Sequence, residues 1–216
     1  MDNKSSTMAW QAVPPLRHAN DNEHGCDRMS RGNVLDPTAL RADDIPLPGP
    51  DAGPLAGKTV GFRLDEIWRA WDWIADIWAD EFRKAGATVT FWRSNQGRTG
   101  VEGERLAREL EQFLASIDIA VVGLANCGSC TGWTIRDALA AADRGLPTTA
   151  VCTAVFEELG RNLAQRGGRS GLRLHVLPYP LNEKQKHEVD AVALEHLPGV
   201  LRTMGAELAA RQEAVA

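Results

Sequence analysis

Five times along the chain a short apolar, β-branched run is followed by a helical apolar pattern, at a spacing of about 30 residues. This alternation restricts the fold more than any other feature. The runs are Lys58–Phe62, Ala87–Trp92, Asp118–Leu124, Pro147–Cys152 and Leu172–Leu177. After the first run, Ile67, Trp71, Ile74, Trp78 and Phe82 are spaced 4, 3, 4 and 4, which predicts one apolar helix stripe ended by Gly86. Leu106, Leu110, Phe113, Leu114 and Ile117 mark a second helix. A third is expected from Thr131 to Arg144, closed by Gly145, and a fourth through about Arg166. The last carries Val189, Val192, Ala193, His196, Val200, Leu201 and Met204 on one face.

Strands separated by helices form a parallel sheet covered on both faces, with right-handed crossovers. The expected fold class is α/β: a doubly wound, flavodoxin-like, five-stranded parallel sheet in the order 2-1-3-4-5. An extended N-terminal arm is expected ahead of it. Such sheets bind ligands outside the carboxyl ends of their strands, at the switch in strand order. Four stretches fall on that rim: Arg63–Glu66, Asn126–Cys130, Cys152–Phe156 and Pro178–Asn182.

The second of these carries the chemistry. Ile119-Ala-Val-Val-Gly-Leu-Ala125 runs into Asn126-Cys127-Gly128-Ser129-Cys130-Thr131-Gly132-Trp133. A strand feeding a helix start leaves free backbone N–H groups and the positive end of the helix dipole at the turn. A cysteine held there ionises more easily, and the thiolate is the reactive form. Gly128 permits a tight turn, and Ser129 adds a hydroxyl donor toward sulfur. Cys127 and Cys130 are the expected catalytic pair, the first attacking and the second closing a disulfide one turn later. Asn126, Gly128, Ser129, Thr131 and Trp133 form the expected surroundings. Glu66 and its neighbour Asp65 are read equally as acid/base groups or helix caps. Cys152 is read as a core residue or as a partner facing Cys127 across the rim. Asp137 is expected at the surface, and His175 and His196 as packed side chains. Zinc requires about four ligands and no second Cys-x-x-Cys follows, so no metal is expected. Neither a phosphate-loop Gly-Lys-Ser/Thr nor a Gly-x-Gly-x-x-Gly follows the first strand, so no nucleotide or other cofactor is expected. Arg161, Arg166, Arg169 and Arg173, around Gly167–Gly171, are expected to be solvated.

Composition narrows the remaining classes. Among the 216 residues, 44% are hydrophobic and 25% charged, as in ordinary globular proteins. A net charge of −5 argues against a nucleic-acid binder relying on general basicity. No apolar stretch approaches the roughly 20 residues that span a bilayer. Residues 1–53 hold polar runs such as Asn20–His24 and the proline-dense Ile45–Pro50, and are read as a partly disordered arm. His24-Gly25-Cys26 within it is read as exposed chain. The α/β domain is expected over 54–210. The first ten residues lack a secretory pattern, so a cytoplasmic location is expected. There a Cys-x-x-Cys is more often catalytic, redox-active or metal-binding than a structural crosslink. Trp73, opposite the apolar stripe of its helix, points to a homo-oligomer or partner-subunit interface.

The motif Gly123–Thr131 resembles that of the UGSC family of thiol and selenol proteins. Val34-Leu-Asp-Pro-Thr-Ala39, Leu55-Ala-Gly-Lys58 and Gly145-Leu-Pro147 agree with the same family, so the resemblance spans roughly residues 34–205. It implies that Cys127 occupies the position that holds selenocysteine in some members, acting as the reactive thiolate, with Cys130 as resolving or supporting thiol. The family is distantly similar to the selenocysteine-bearing subunits of glycine and betaine reductases. This chain departs from it in having plain cysteine at that position and a tryptophan-rich first helix. The expected function is that of a thiol-dependent enzyme working in reductive or sulfur-transfer chemistry on a small-molecule substrate. Two alternatives stand beside it. One is a non-redox cysteine-dependent isomerase, lyase or hydrolase using Cys127. The other is an accessory oligomeric subunit of a partner enzyme.

Overall fold

The structure is a computed structural model, which describes residues 43–94 and 99–207. The outer part of the N-terminal arm, including His24-Gly25-Cys26, lies outside the described residues, as do positions 208–216.

Five strands form one parallel sheet: β2 (Thr59–Asp65), β3 (Thr88–Ser94), β4 (Ile119–Ala125), β5 (Thr148–Thr153) and β6 (Arg173–Leu177). Their order is β3-β2-β4-β5-β6, the switched order that the alternation of strands and helices implied. All the pairings are parallel. A two-residue parallel bridge joins β1 (Gly53–Pro54) to β7 (Ala206–Glu207). Among the described residues, five α-helices cover the sheet: α1 (Arg69–Lys84), α2 (Gly100–Ala115), α3 (Gly128–Asp143), α4 (Glu157–Arg166) and α5 (Lys186–Met204). None of the described helices is long and apolar enough to cross a membrane.

The two faces bury different side chains. Under α1 and α5 the core is large and aromatic, with Phe62, Trp71, Ile74, Trp78 and Phe82 fully buried. Trp71 and Trp78 pack edge to face with ring centroids 5.8 Å apart. Each indole N–H reaches a backbone carbonyl: Trp71 Nε1 donates to Arg63 O at 3.2 Å and Trp78 Nε1 to Ala193 O at 2.8 Å. Under α2, α3 and α4 the core is built from smaller residues, including Ala120, Ala138, Ala141, Ala142, Ala150 and Ala164.

Some local expectations are corrected. The first strand continues through Asp65, so Arg63 is a strand residue and not part of a turn. Ile67 precedes α1 and is exposed, leaving Trp71 to begin the buried stripe. Trp73 is half-buried against the aromatic core, with the Arg69 guanidinium 5.4 Å above its ring. The ring is thus partly covered within its own chain instead of standing fully in solvent. Among the arginines expected in solvent, Arg173 is largely covered and ties down the inner arm. It donates to Gly49 O at 3.2 Å and pairs with Asp51 at 2.5 Å. Arg169, also mostly covered, pairs with Asp143 at 3.1 Å. Gly205 ends α5 with φ 61°, and a Cβ there would stand 2.1 Å from Asp51 Oδ1. Only glycine meets both the left-handed backbone and the close approach of the arm.

Candidate active site

The carboxyl end of β4 delivers the chain directly into α3. Cys127 is extended, with φ −155° and ψ 170°, and occupies the N-cap position, so the helix starts at Gly128, earlier than the expected Thr131. Ser, Thr, Asp and Asn usually fill this position because their oxygen accepts an amide of the first turn. Here sulfur takes that role: the Cys130 backbone N–H donates to Cys127 Sγ at 3.1 Å. Cys127 Sγ also lies 3.4 Å from Ser129 Oγ. Thr131, fully buried, donates its hydroxyl to Cys127 O at 2.6 Å and holds the turn from below.

Cys127 and Cys130 are joined in a disulfide, with Cα atoms 5.1 Å apart. The two sulfurs differ in access. Cys127 is half-buried, whereas Cys130 is 3% exposed. A reagent from solvent therefore meets Cys127 first. Gly128 and Ser129 are exposed between them, and a Cβ at Gly128 would meet nothing within 4 Å.

Asn126 is buried, and its Oδ1 accepts a hydrogen bond from Thr153 Oγ1 at 2.8 Å. This bond clamps the ends of β4 and β5 together directly beneath the cysteines. Cys152, one residue earlier on β5, is fully buried, and burial pushes its thiol up to about 12. Glu157 adds to that shift and Arg161 opposes it. It is a neutral thiol in the core. Glu66 is exposed in the loop after β2. Trp133 is half-buried one turn into α3, with the Arg136 guanidinium 5.6 Å over its ring.

A buried ionic strut under the motif escaped the sequence reading. Arg63, 3% exposed, donates from Nε to Asp137 Oδ2 at 2.9 Å and from Nη1 to Gly123 O at 2.9 Å. Asp137 is therefore a buried partner and not a surface charge. Asp65 completes the strut. Its Oδ1 caps the loop by accepting from the N–H groups of Ile67 and Trp68 at 2.8 and 2.9 Å, and its Oδ2 accepts from Leu124 N–H at 3.3 Å. These contacts make Asp65 a structural group, tied to both β4 and the start of α1. Gly123 is required here, since a Cβ would stand 2.5 Å from the Trp71 ring. One signal was legible. Asp137 lies on the same helical stripe as Cys130, Thr134, Ala138 and Ala141, all buried in α3.

Among the described residues no group of three His, Cys, Asp or Glu stands together as metal ligands. The site places two bonded sulfurs at a helix start, above the buried Arg63–Asp137 ion pair.

A family model described as the UGSC family matches residues 33–206. The chain belongs to the UGSC family. Its Cys127-Gly-Ser-Cys130 sequence thus marks the place where β4 meets α3 in a UGSC protein. Among solved structures, a mutant flavo di-iron protein from Thermotoga maritima is similar at 9% identity and a TM-score of 0.40. The alignment covers 67% of this chain and 37% of that one. Comparison with curated proteins returns no match.

Proposed function

We propose that this UGSC protein is a thiol–disulfide enzyme acting on a small molecule, with Cys127 as the exchanging sulfur and Cys130 as the resolving one. The observation that carries the reading is the sulfur cap: an accessible cysteine at the start of α3 accepts the amide of the covered cysteine to which it is bonded. A thiolate is a stronger acceptor than a disulfide or thiol sulfur. Once the disulfide is opened, the same amide and the helix dipole favour the ionised form of Cys127.

In the reductive direction, Cys127 thiolate attacks an electrophilic sulfur of the substrate and forms a mixed disulfide, while the substrate's other sulfur leaves as a thiolate. Cys130 thiolate then attacks Cys127 Sγ, closing the protein disulfide and releasing the second substrate thiolate. The substrate disulfide gains two electrons, and the protein dithiol loses them. An external dithiol reductant, which a reducing compartment such as the cytoplasm supplies, returns the protein to its starting state.

Separate Cys127→Ser and Cys130→Ser variants, assayed for turnover of a small disulfide with a dithiol reductant, test this reading. Loss of turnover in both supports the cycle. Undiminished turnover in either variant overturns it. Full activity in Cys130→Ser alone would show that one thiolate suffices.

A further inference from the structure

Ser129, Trp133 and Arg136 fall at positions i, i+4 and i+7 of α3, so they follow one another along a single face beginning at the disulfide. Gly132 lies within that row and contributes no side chain; a Cβ there would meet nothing within 4 Å. The four residues line a shallow, open depression of about 320 Å³. At one end Ser129 Oγ is 3.4 Å from Cys127 Sγ, which connects the depression to the accessible sulfur. At the other end is Arg136, whose guanidinium lies over Trp133. Arg136 is exposed and, among the described residues, has no carboxylate partner. The nearby Arg144 and Arg161, by contrast, hold Glu111 and Glu157 at 2.6 Å.

We propose that this depression seats a small anionic thiol or disulfide. Its sulfur meets Cys127, its short carbon skeleton crosses Gly132 against Trp133, and its carboxylate pairs with Arg136. The inference rests on the thiol-exchange reading above and names the substrate class. Seven residues of helix put the Arg136 backbone about 10 Å beyond Ser129. Long side chains lean back toward the helix N-terminus, which brings the guanidinium nearer to the sulfur. The remaining gap suits a mercapto acid of a few carbons. The net charge of −5 disfavours anions in general, so selectivity for one must arise locally.

The exchange balances with the disulfide as oxidant. The bound ligand thiolate attacks Cys127 Sγ and forms a ligand–Cys127 disulfide. The Cys127–Cys130 bond breaks, and Cys130 leaves as a thiolate that takes a proton from solvent. A second ligand thiolate then attacks the ligand sulfur of the mixed disulfide, forming the ligand disulfide and releasing Cys127 thiolate. Two ligand thiols are oxidised and one protein disulfide is reduced.

The test uses the full chain in its disulfide form, with 3-mercaptopropionate, 2-mercaptoethanol and cysteamine as separate reductants. Reduction is read as the rate at which Cys127 becomes open to alkylation, resolved by peptide mass and divided by each reagent's thiolate fraction. The expected result is reduction by 3-mercaptopropionate about fivefold faster than by cysteamine, the scale of one exposed charge contact. Arg136→Gln brings the ratio close to one, whereas Arg144→Gln, a control that also removes one positive charge, preserves it. Equal rates in the unmodified protein, or a preference that survives Arg136→Gln, overturn the anionic seat while leaving thiol exchange in place. Failure of all three thiols to reduce the disulfide overturns the exchange reading and the seat together.

Discussion

The two faces of the sheet solve different problems with different side chains. The face under α1 and α5 is filled by bulk: Phe62, Trp71, Trp78 and Phe82 interlock, and the one histidine buried there is neutral. The face under α2, α3 and α4 mixes alanines such as Ala138, Ala141 and Ala150 with Leu, Ile and Phe113 and, among the described residues, buries no tryptophan, so its side chains are smaller on average. It also contains the Arg63–Asp137 ion pair and leads up to the cysteine cap. Bulk gives stability that tolerates some repacking. A close-packed helix fixed by a directional charge pair holds one geometry, as a reactive sulfur at the helix start requires. Stability thus rests chiefly on the aromatic face and positioning on the face that carries the ion pair.

The largest effects test whether the faces fail differently. Trp78→Ala removes a fully buried indole and its hydrogen bond to Ala193 O, for a loss of about 3–5 kcal/mol in urea unfolding. Arg63→Met leaves Asp137 buried without this partner and is expected to cost a similar amount, about 3–5 kcal/mol. The distinction lies in the repair. Adding Asp137→Leu to Arg63→Met removes one stranded charge and recovers part of that loss, while Asp65 still lacks the guanidinium it faces at 4.0 Å. A double variant no more stable than Arg63→Met alone would mean that the strut does not act as a pair.

The next effect concerns pH. His175 Nε2 lies 3.3 Å from His196 Nδ1, and the His175 ring packs edge to face on Trp78. Burial, with His196 and Arg202 adding to it, lowers its pKa to about 4. The unfolded chain, with a histidine pKa near 6.5, then binds more protons than the folded one between those two values. Stability from this site is complete above about pH 6.5 and is lost as pH falls toward 4, in total on the order of 3 kcal/mol. Urea titrations across that range should slope upward with pH in the unmodified protein and less steeply in His175→Phe. An unchanged slope in the variant would assign the effect elsewhere.

Smaller effects probe the site's underside. Gly123→Ala forces a Cβ against Trp71 and is expected to cost about 1–3 kcal/mol. Cys152→Ala should cost only about 1 kcal/mol and leave Cys127 alkylation unaltered, because Cys152 is a buried neutral thiol. Rapid labelling of Cys152 in the native protein, mapped by peptide mass, would contradict that placement.

The parts legible in the sequence were those written as local periodicity. Short β-branched apolar runs and glycine-ended stripes such as Trp71, Ile74, Trp78 and Phe82 carry strand and helix identity. Their alternation then carries the sheet order. The motif's place at the carboxyl end of β4 followed from the same count. What escaped depends on contacts far apart in the chain. Arg63 and Asp137 are separated by 74 residues, and each alone reads as an ordinary charge. Arg173 reads as a solvated arginine until the inner arm, more than 120 residues earlier, closes over it. Trp73 is a local case instead: Arg69, four residues earlier on the same helix, stacks on its ring, a neighbour that the apolar stripe alone does not bring out.

The central claim is that the start of α3 activates Cys127, and the rate of its alkylation against pH tests this most directly. The full chain is reduced, treated with iodoacetamide at a series of pH values, and mapped so that Cys127 is counted separately from the other cysteines. The sulfur cap predicts a half-maximal rate clearly below pH 8.5, the ordinary value for a free cysteine. A midpoint at or above about 8.5 would mean that the cap gives the thiolate no advantage, which would contradict the assignment of Cys127 as an activated nucleophile.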